Sequence, residues 1–392
     1  MNKLILNTGV QEFILNNLNT DIVSVLLQKP QFEGISQEEL AEQLEAKKKC
    51  EKKLRTWYHS PNIYYPNKLN IEQTSSEVTA HYKAGLVSGK NLLDLTGGLG
   101  VDSCFFSKKM ERVLHCEVNQ NLSEIAAHNF KILGHKNIEC IPQDGIQFLR
   151  EHDGSFDWIY VDPSRRDDKK GKVFLLEDCL PNLPEHLHLL FEKTKNVLVK
   201  TSPLLDITQG LNELNFVKEV HVVAVANEVK ELLFVLQNDY RGDVFMKTIN
   251  LNPPKNDTFD FMLSEEAITK VDYGAPATYL YEPNAAILKS GGFKSVAKAF
   301  ALQKLHPSSH LYTSSKLMDF PGRRFEIQRQ VSYSKKSMKD LVLEKANITT
   351  RNFPISVADI RKKHKIKDGG NDYLFFTTLS NTDLVVLHCT KR

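Results

Sequence analysis

The sequence predicts an α/β protein, a doubly wound parallel sheet with N-terminal helices before it and an α+β appendage after it. Three observations carry that expectation. Short apolar runs alternate with helical stretches between Asn91 and Leu236, a glycine-rich turn follows the first run, and the pattern changes after Asn252-Pro253-Pro254.

Within the alternating region, strands are expected at 91–95, 113–118, 138–141, 156–161, 196–199, 217–225 and 231–236. Helices at 102–110, 119–133, 145–150 and 177–193 separate the first five. Only the polar break 226–230 parts the last two, which suits an antiparallel pair and a reversed sheet edge. Ahead of this region, 11–28 carries an approximate helical stripe from Phe13 to Leu27, and 36–58 opens on a capping box, Ser36-Gln37-Glu38-Glu39. Beyond it, 270–318 includes Tyr279-Leu280-Tyr281-Glu282-Pro283 and a helix around 295–303. The last segment reads as a strand at 323–330, helices at 336–345 and 356–364, and a strand pair at 373–379 and 384–390. The expected domains are 1–70, 71–250, 270–318 and 319–392.

Charge divides along the same lines. The net charge is +3, yet residues 289–392 hold 20 Lys and Arg against 8 Asp and Glu, a local +12 that leaves −9 for the rest. Such asymmetry points to a near-neutral or acidic enzyme body with a basic appendage that meets a polyanion; a solubilising surface is the competing reading. No apolar run is long enough to span a bilayer, and the N-terminus lacks the pattern of a signal peptide, so no membrane partner is expected. The 6 cysteines form no Cys-x-x-Cys pair, which fits buried thiols in a reducing cytoplasm, and the 13 histidines show no ligand spacing, so no metal is expected.

The turn itself reads Asp94-Leu95-Thr96-Gly97-Gly98-Leu99-Gly100-Val101-Asp102. Glycines there let backbone amides approach a ligand closely. A dinucleotide fingerprint needs a third glycine where Ser103 stands, which sets NAD aside. Asp94 four residues before Gly98, then Gly100, resembles the first motif of Rossmann-like class I S-adenosylmethionine methyltransferases. That resemblance implies that Thr96, Gly97, Gly98, Gly100 and Asp102 surround the methionine part of the cofactor, with Asp94 near its amino group. It places Glu117, with Val118 beside it, at the ribose hydroxyls, whose two donors suit two carboxylate oxygens. Asp144 and Gly145 fall where the family places residues near adenine. Gln73, Thr74 and Ser75 resemble the polar segment that closes over the cofactor; a capping box Thr74-x-x-Glu77 is the equal alternative.

The fourth strand runs into Asp162-Pro163-Ser164-Arg165-Arg166, at the sheet end where open α/β folds bind ligands. This resembles the Asp/Asn-Pro-Pro-aromatic motif of methyltransferases that act on exocyclic base amines. The resemblance implies that Asp162 and the Pro163 carbonyl accept hydrogen bonds from the amine and aim its lone pair. Ser164 replaces the second proline and Arg165 the aromatic residue. A guanidinium stacks on a base or holds a phosphate, while pairing of Arg165 and Arg166 with Asp167 and Asp168 is the bland alternative. Lys200 follows the fifth strand, facing substrate or capping the sheet edge; Glu228 to Glu231 reads as a polar turn.

Asp94 to Asp102 and Asp162 to Arg166 together resemble bacterial methyltransferases with a small ferredoxin-like insert and a C-terminal THUMP-like domain. Tyr281-Glu282-Pro283-Asn284 is similar to the insert's signature, and Phe353-Pro354-Ile355-Ser356, Arg361-Lys362-Lys363 and Lys367-Asp368-Gly369-Gly370 are similar to the THUMP-like unit. The N-terminal helices match no such pattern. The function implied is S-adenosylmethionine-dependent methylation of an exocyclic base amine in structured RNA, rRNA or tRNA, docked by the basic C-terminus. Two other classes stand beside it: a non-catalytic RNA-binding protein with a vestigial pocket, and a methyltransferase acting on protein or a small molecule. Intact acids at Asp94, Glu117 and Asp162 argue against the first.

Overall fold

Trp158-Ile159-Tyr160-Val161 is apolar at every position and buried at every position, as a central parallel strand requires. In the computed structural model, which describes residues 1–165, 175–341, 343–380 and 382–392, this run is the fourth of five parallel strands. The five are β1 (Asn91–Asp94), β2 (Arg112–Cys116), β3 (Ile138–Ile141), β4 (Trp158–Val161) and β5 (Asn196–Thr201), in the order β5-β4-β1-β2-β3. The order reverses at β1, so the crevice lies over the carboxyl ends of β1 and β4, where the two motifs sit.

The chain divides into two units, Met1–Lys218 with Leu233–Arg241, and Glu219–Leu232 with Gly242–Arg392. The N-terminal helices belong to the first and pack on its core. Asn129, on the helix Gln120–Ile132, exchanges hydrogen bonds with both the N–H and the carbonyl of Tyr64, at 3.0 and 2.9 Å. The capping box forms as expected, with Ser36 and Glu39 bonding each other's backbone N–H. The single helix expected at 11–28 does not form. Asn17 ends the helix Thr8–Asn16, and Asp21 caps a separate helix Ile22–Leu26, because asparagine and aspartate bond nearby backbone in preference to continuing a helix. The helix expected from 177 starts later, at Leu183, since Cys179–Leu180 pairs with Ser164–Arg165 in a two-residue antiparallel ribbon.

The hairpin is tighter than its polar break implied. Val217–Val225 turns into Glu228–Gln237 through Ala226 and Asn227 alone, both at positive φ (49° and 66°), the signature of a type I′ turn. Two strands that the sequence did not announce extend this sheet: Phe245–Leu251 runs parallel to Val217–Val225, and Asp257–Met262 antiparallel to Phe245–Leu251.

The C-terminal elements form at 322–332, 335–340, 357–364, 372–378 and 384–391, close to their expected positions, with Asn347–Arg351 added as a strand parallel to Asp372–Thr378. The helix expected around 295–303 is shorter and earlier, Phe293–Ala299. Segments 270–318 and 319–392 share one seven-stranded sheet, in which Tyr279–Pro283 pairs with Gly322–Ser332. Glu282, almost fully buried, joins them chemically. It accepts from Arg323 Nε at 2.6 Å and from Arg351 at 2.8 Å. Glu282→Gln is expected to destabilise this unit by about 1–3 kcal/mol, because a neutral amide replaces a charge-assisted acceptor of two guanidiniums. Faster amide hydrogen exchange in Gly322–Ser332 and Asn347–Arg351, with rates in β1–β5 unchanged, is the readout.

Candidate functional site

The glycine loop is held by hydrogen bonds of its own. The amides of Gly97, Gly98 and Gly100 do not wait for a ligand. Gly97 donates to the Cys116 carbonyl at 2.8 Å, Gly98 to Glu117 at 2.8 Å and Gly100 to the Gly97 carbonyl at 2.9 Å. What the glycines supply is room. A Cβ on Gly97 would lie 2.3 Å from the His115 ring, and one on Gly100, at φ +79°, 2.2 Å from Phe130. Gly145 is constrained likewise, with a Cβ falling 2.4 Å from the Leu95 carbonyl oxygen. At Gly98, φ +57°, a Cβ would meet nothing nearer than the Thr96 carbonyl oxygen at 4.0 Å, so there the backbone conformation rather than crowding calls for glycine.

His115 was missed by sequence reasoning, since it lies in a strand with no motif around it. It is fully buried beneath the loop, edge-on to Phe130, and burial lowers its imidazole to about 4, which keeps it neutral.

Three carboxylates converge above the sheet. Asp94, at the end of β1, is buried and accepts from Ser103 Oγ at 2.6 Å and the Thr96 N–H at 3.1 Å. Burial pushes its carboxyl up to about 7 against those two bonds, with Asp102 and Asp162 adding to the rise. Asp102 is committed to a buried network rather than open to the crevice. It accepts from Ser75 Oγ at 2.7 Å and Tyr160 Oη at 2.8 Å, and pairs with Lys83 at 3.1 Å. Burial works to raise this carboxyl, but Lys83 and Lys200 and the two hydroxyl bonds overrule it and hold it below the usual range. Lys83 is itself fully buried and also donates to Ser75 at 2.9 Å. Asp162 follows β4; its N–H donates to Thr96 Oγ1 at 2.7 Å, which ties the second motif to the glycine loop. Its Oδ2 pairs with Lys200 Nζ.

The remaining residues take these places. Ser76, not Thr74, caps the helix Glu77–Ala84, and Thr74 instead ends the preceding helix, which leaves Gln73 exposed and Ser75 turned inward. The proposed Thr74-x-x-Glu77 box is therefore replaced by Ser76 bonding Thr79; Glu77 bonds Thr56. Glu117 is half-buried, with its second oxygen on the Asn119 N–H at 2.7 Å. Val118 beside it is 73% exposed. Asp144 caps the helix Gly145–Glu151 through the Gln147 N–H at 2.9 Å. Pro163 is buried and Ser164 exposed. The backbone of Arg165 pairs with Cys179, while its side chain and all of Arg166, with the expected Asp167 and Asp168 partners, lie outside the described residues. Lys200 faces Asp162.

A family described as a ferredoxin-like domain matches residues 279–321, and one described as THUMP domain-like matches 322–391. The crystal structure of a candidate methyltransferase from Porphyromonas gingivalis W83 superposes with a TM-score of 0.89 at 33% identity, covering 100% of this chain and 98% of that one. This chain belongs to that methyltransferase family. Local similarity extends to curated proteins. An uncharacterized RNA methyltransferase of Mycoplasma mobile is 36% identical over 92 residues, 24% of this chain and 25% of that protein. A tRNA (guanine(26)-N(2))-dimethyltransferase of Methanobrevibacter smithii is 34% identical over 76 residues, 19% of this chain and 20% of that protein. The chain thus spans a quarter or less of the length of these curated relatives.

S-adenosylmethionine is the cofactor of this class of methyltransferase, and the donor set fits it. No atom crowds Gly98 on its Cβ side, Glu117 keeps free lone pairs on both oxygens, and Val118 offers an uncovered apolar side chain for a flat ring. Among the described residues no helix is long and apolar enough to cross a membrane.

Proposed function

We propose that this methyltransferase acts in the cytoplasm on an exocyclic base amine of structured RNA, rRNA or tRNA. The observation that carries the reading is the single hydrogen bond from the Asp162 N–H to Thr96, which holds an amine-type acceptor motif against the cofactor loop. Bound there, S-adenosylmethionine supplies an electrophilic methyl group on sulfur. Glu117 takes the ribose hydroxyls, Val118 and Asp144 border the adenine, and Asp94 lies toward the methionine amino group. Asp162 and the Pro163 carbonyl accept from the acceptor amine and orient its lone pair, while Arg165 and Arg166 engage base or phosphate. Ser75 and Asp102 support the cofactor site from beneath, through Lys83.

The RNA assignment is supported by the THUMP domain-like match, by the RNA methyltransferases among the curated relatives and by the +12 charge of residues 289–392. The proposed domains remain 1–70, 71–250, 270–318 and 319–392. Comparing tRNA and rRNA nucleosides by mass spectrometry from cells with and without the gene tests the reading. One missing methylated nucleoside supports it; identical profiles, with the purified protein methylating a protein or small molecule instead, overturn the RNA assignment.

Asp94 adds a pH signature. Only its ionised form attracts a cofactor ammonium, so with a carboxyl near 7 the affinity for S-adenosylmethionine is expected to rise roughly tenfold between pH 6 and 8. Stability without cofactor moves the other way. From the ordinary carboxylate range up to 7 the folded chain keeps a proton that the unfolded chain has released, so rising pH favours unfolding there. Calorimetric titration between pH 6 and 8 checks the first sign and thermal unfolding of the cofactor-free chain between about pH 4 and 7 the second, with Asp94→Asn as the pH-insensitive control.

A further inference from the structure

Parallel register places Lys200 beside Asp162. Ile159 pairs with Val197, Tyr160 with Leu198 and Val161 with Val199, and one step further along both strands lie Asp162 and Lys200. The ammonium meets Oδ2 of the carboxylate, and the lysine side chain is only 12% exposed against 32% for the aspartate. Asp162 is therefore held at two points, its backbone by Thr96 and one oxygen by Lys200. Among the described residues Oδ1 carries no hydrogen bond.

We infer that Lys200 is a positioning residue for methyl transfer: it claims one oxygen of Asp162, fixes the carboxylate plane and leaves Oδ1 as the oxygen presented to the acceptor amine. This rests on the reading above, that Asp162 meets the acceptor. The motif as such needs a single aimed acceptor, because one amine hydrogen must be bonded while the lone pair points at the methyl carbon. A lone carboxylate offers two equivalent oxygens and a loose terminal torsion. Repulsion from Asp94 would also drive it toward solvent, whereas Lys200 offsets that charge.

The pairing has a consequence that a structural ion pair lacks. An asparagine at 162 has one acceptor oxygen, and Lys200 would claim it, turning amide N–H donors toward the amine's own donors. Asp162→Asn is thus expected to be severely impaired because Lys200 is present, and adding Lys200→Met is expected to raise its kcat by about tenfold. In the otherwise native chain the same Lys200→Met lowers kcat by roughly 30-fold, with KM and cofactor affinity changed less than about threefold, and Lys200→Arg restores most of the rate.

The assay measures transfer of tritium from S-adenosylmethionine to total RNA of a strain lacking the gene. Independently of turnover, amine acylation of Lys200, read by mass spectrometry, is expected to speed up by about fivefold in Asp162→Ala as the pair is lost. Losses that simply multiply in the double variant, or acylation unchanged by Asp162→Ala, overturn this inference. Full turnover by Asp162→Ala, or no transfer to RNA by the native chain, instead overturns the functional reading on which it stands.

Discussion

Asp162→Ala is expected to lower the rate of methyl transfer about a thousandfold, the scale of losing one preorganised hydrogen-bonding group at a reacting centre. The cofactor supplies the reactive methyl, so what this chain contributes is placement of the amine and exclusion of water. With alanine the Pro163 carbonyl remains, but the amine loses the partner that sets its rotation about the C–N bond. Cofactor affinity is expected to stay within about threefold, because the 162 backbone N–H still reaches Thr96 and the loop below is unchanged. Single-turnover transfer with tritiated cofactor, beside calorimetric binding of the same variant, separates the two quantities. Loss of binding in parallel with loss of transfer would reassign Asp162 to the cofactor pocket, and retained transfer would remove it from the acceptor site altogether.

Much of the parallel sheet was legible because its strands are short apolar runs ended by acids or glycine turns, and burial on both faces leaves such runs few alternatives. The hairpin's true length was not, since a type I′ turn at Ala226-Asn227 lacks the glycine that usually announces one. At the site, Asp94, Glu117 and Asp162 stand out because acids at strand ends are costly without a task. The purpose of the glycines did not. The crowding that excludes a Cβ at Gly97 and Gly100 comes from His115 and Phe130, which reach them from β2 and from the following helix. No local pattern encodes a contact made across elements. Asp102 is the same case: its place beside the glycine loop is legible, but only the fold brings Lys83, Ser75 and Tyr160 to it. Lys200 was visible as a lysine at a strand end, but its partner follows from the register of β5 on β4, which spacing alone does not fix.

Lys83→Met is expected to be the most destabilising of these substitutions, by about 3–5 kcal/mol, because it strands a buried carboxylate whose counter-ion is itself fully buried. For a unit of this size that corresponds to a fall in Tm of roughly 10 °C. The hydroxyls of Ser75 and Tyr160 still donate to Asp102 Oδ2, but of its two cations only Lys200 remains, and the methionine removes the link from the helix Glu77–Ala84 to Ser75. Adding Asp102→Asn is expected to recover at least half the loss, since a neutral amide oxygen accepts both hydroxyls without needing a cation. The two tryptophans, Trp57 and Trp158, both lie in the first unit, so intrinsic fluorescence follows its unfolding separately from the rest of the chain. If Lys83→Met unfolds at the native temperature, or the second substitution adds to the loss, the Lys83–Asp102 pair does not hold the helix Glu77–Ala84 to the helix Val101–Phe106. If the recovery is seen while cofactor affinity stays low, the charge pair serves the pocket as well as the fold, because Ser75 then regains its partner at 102 but not its lysine.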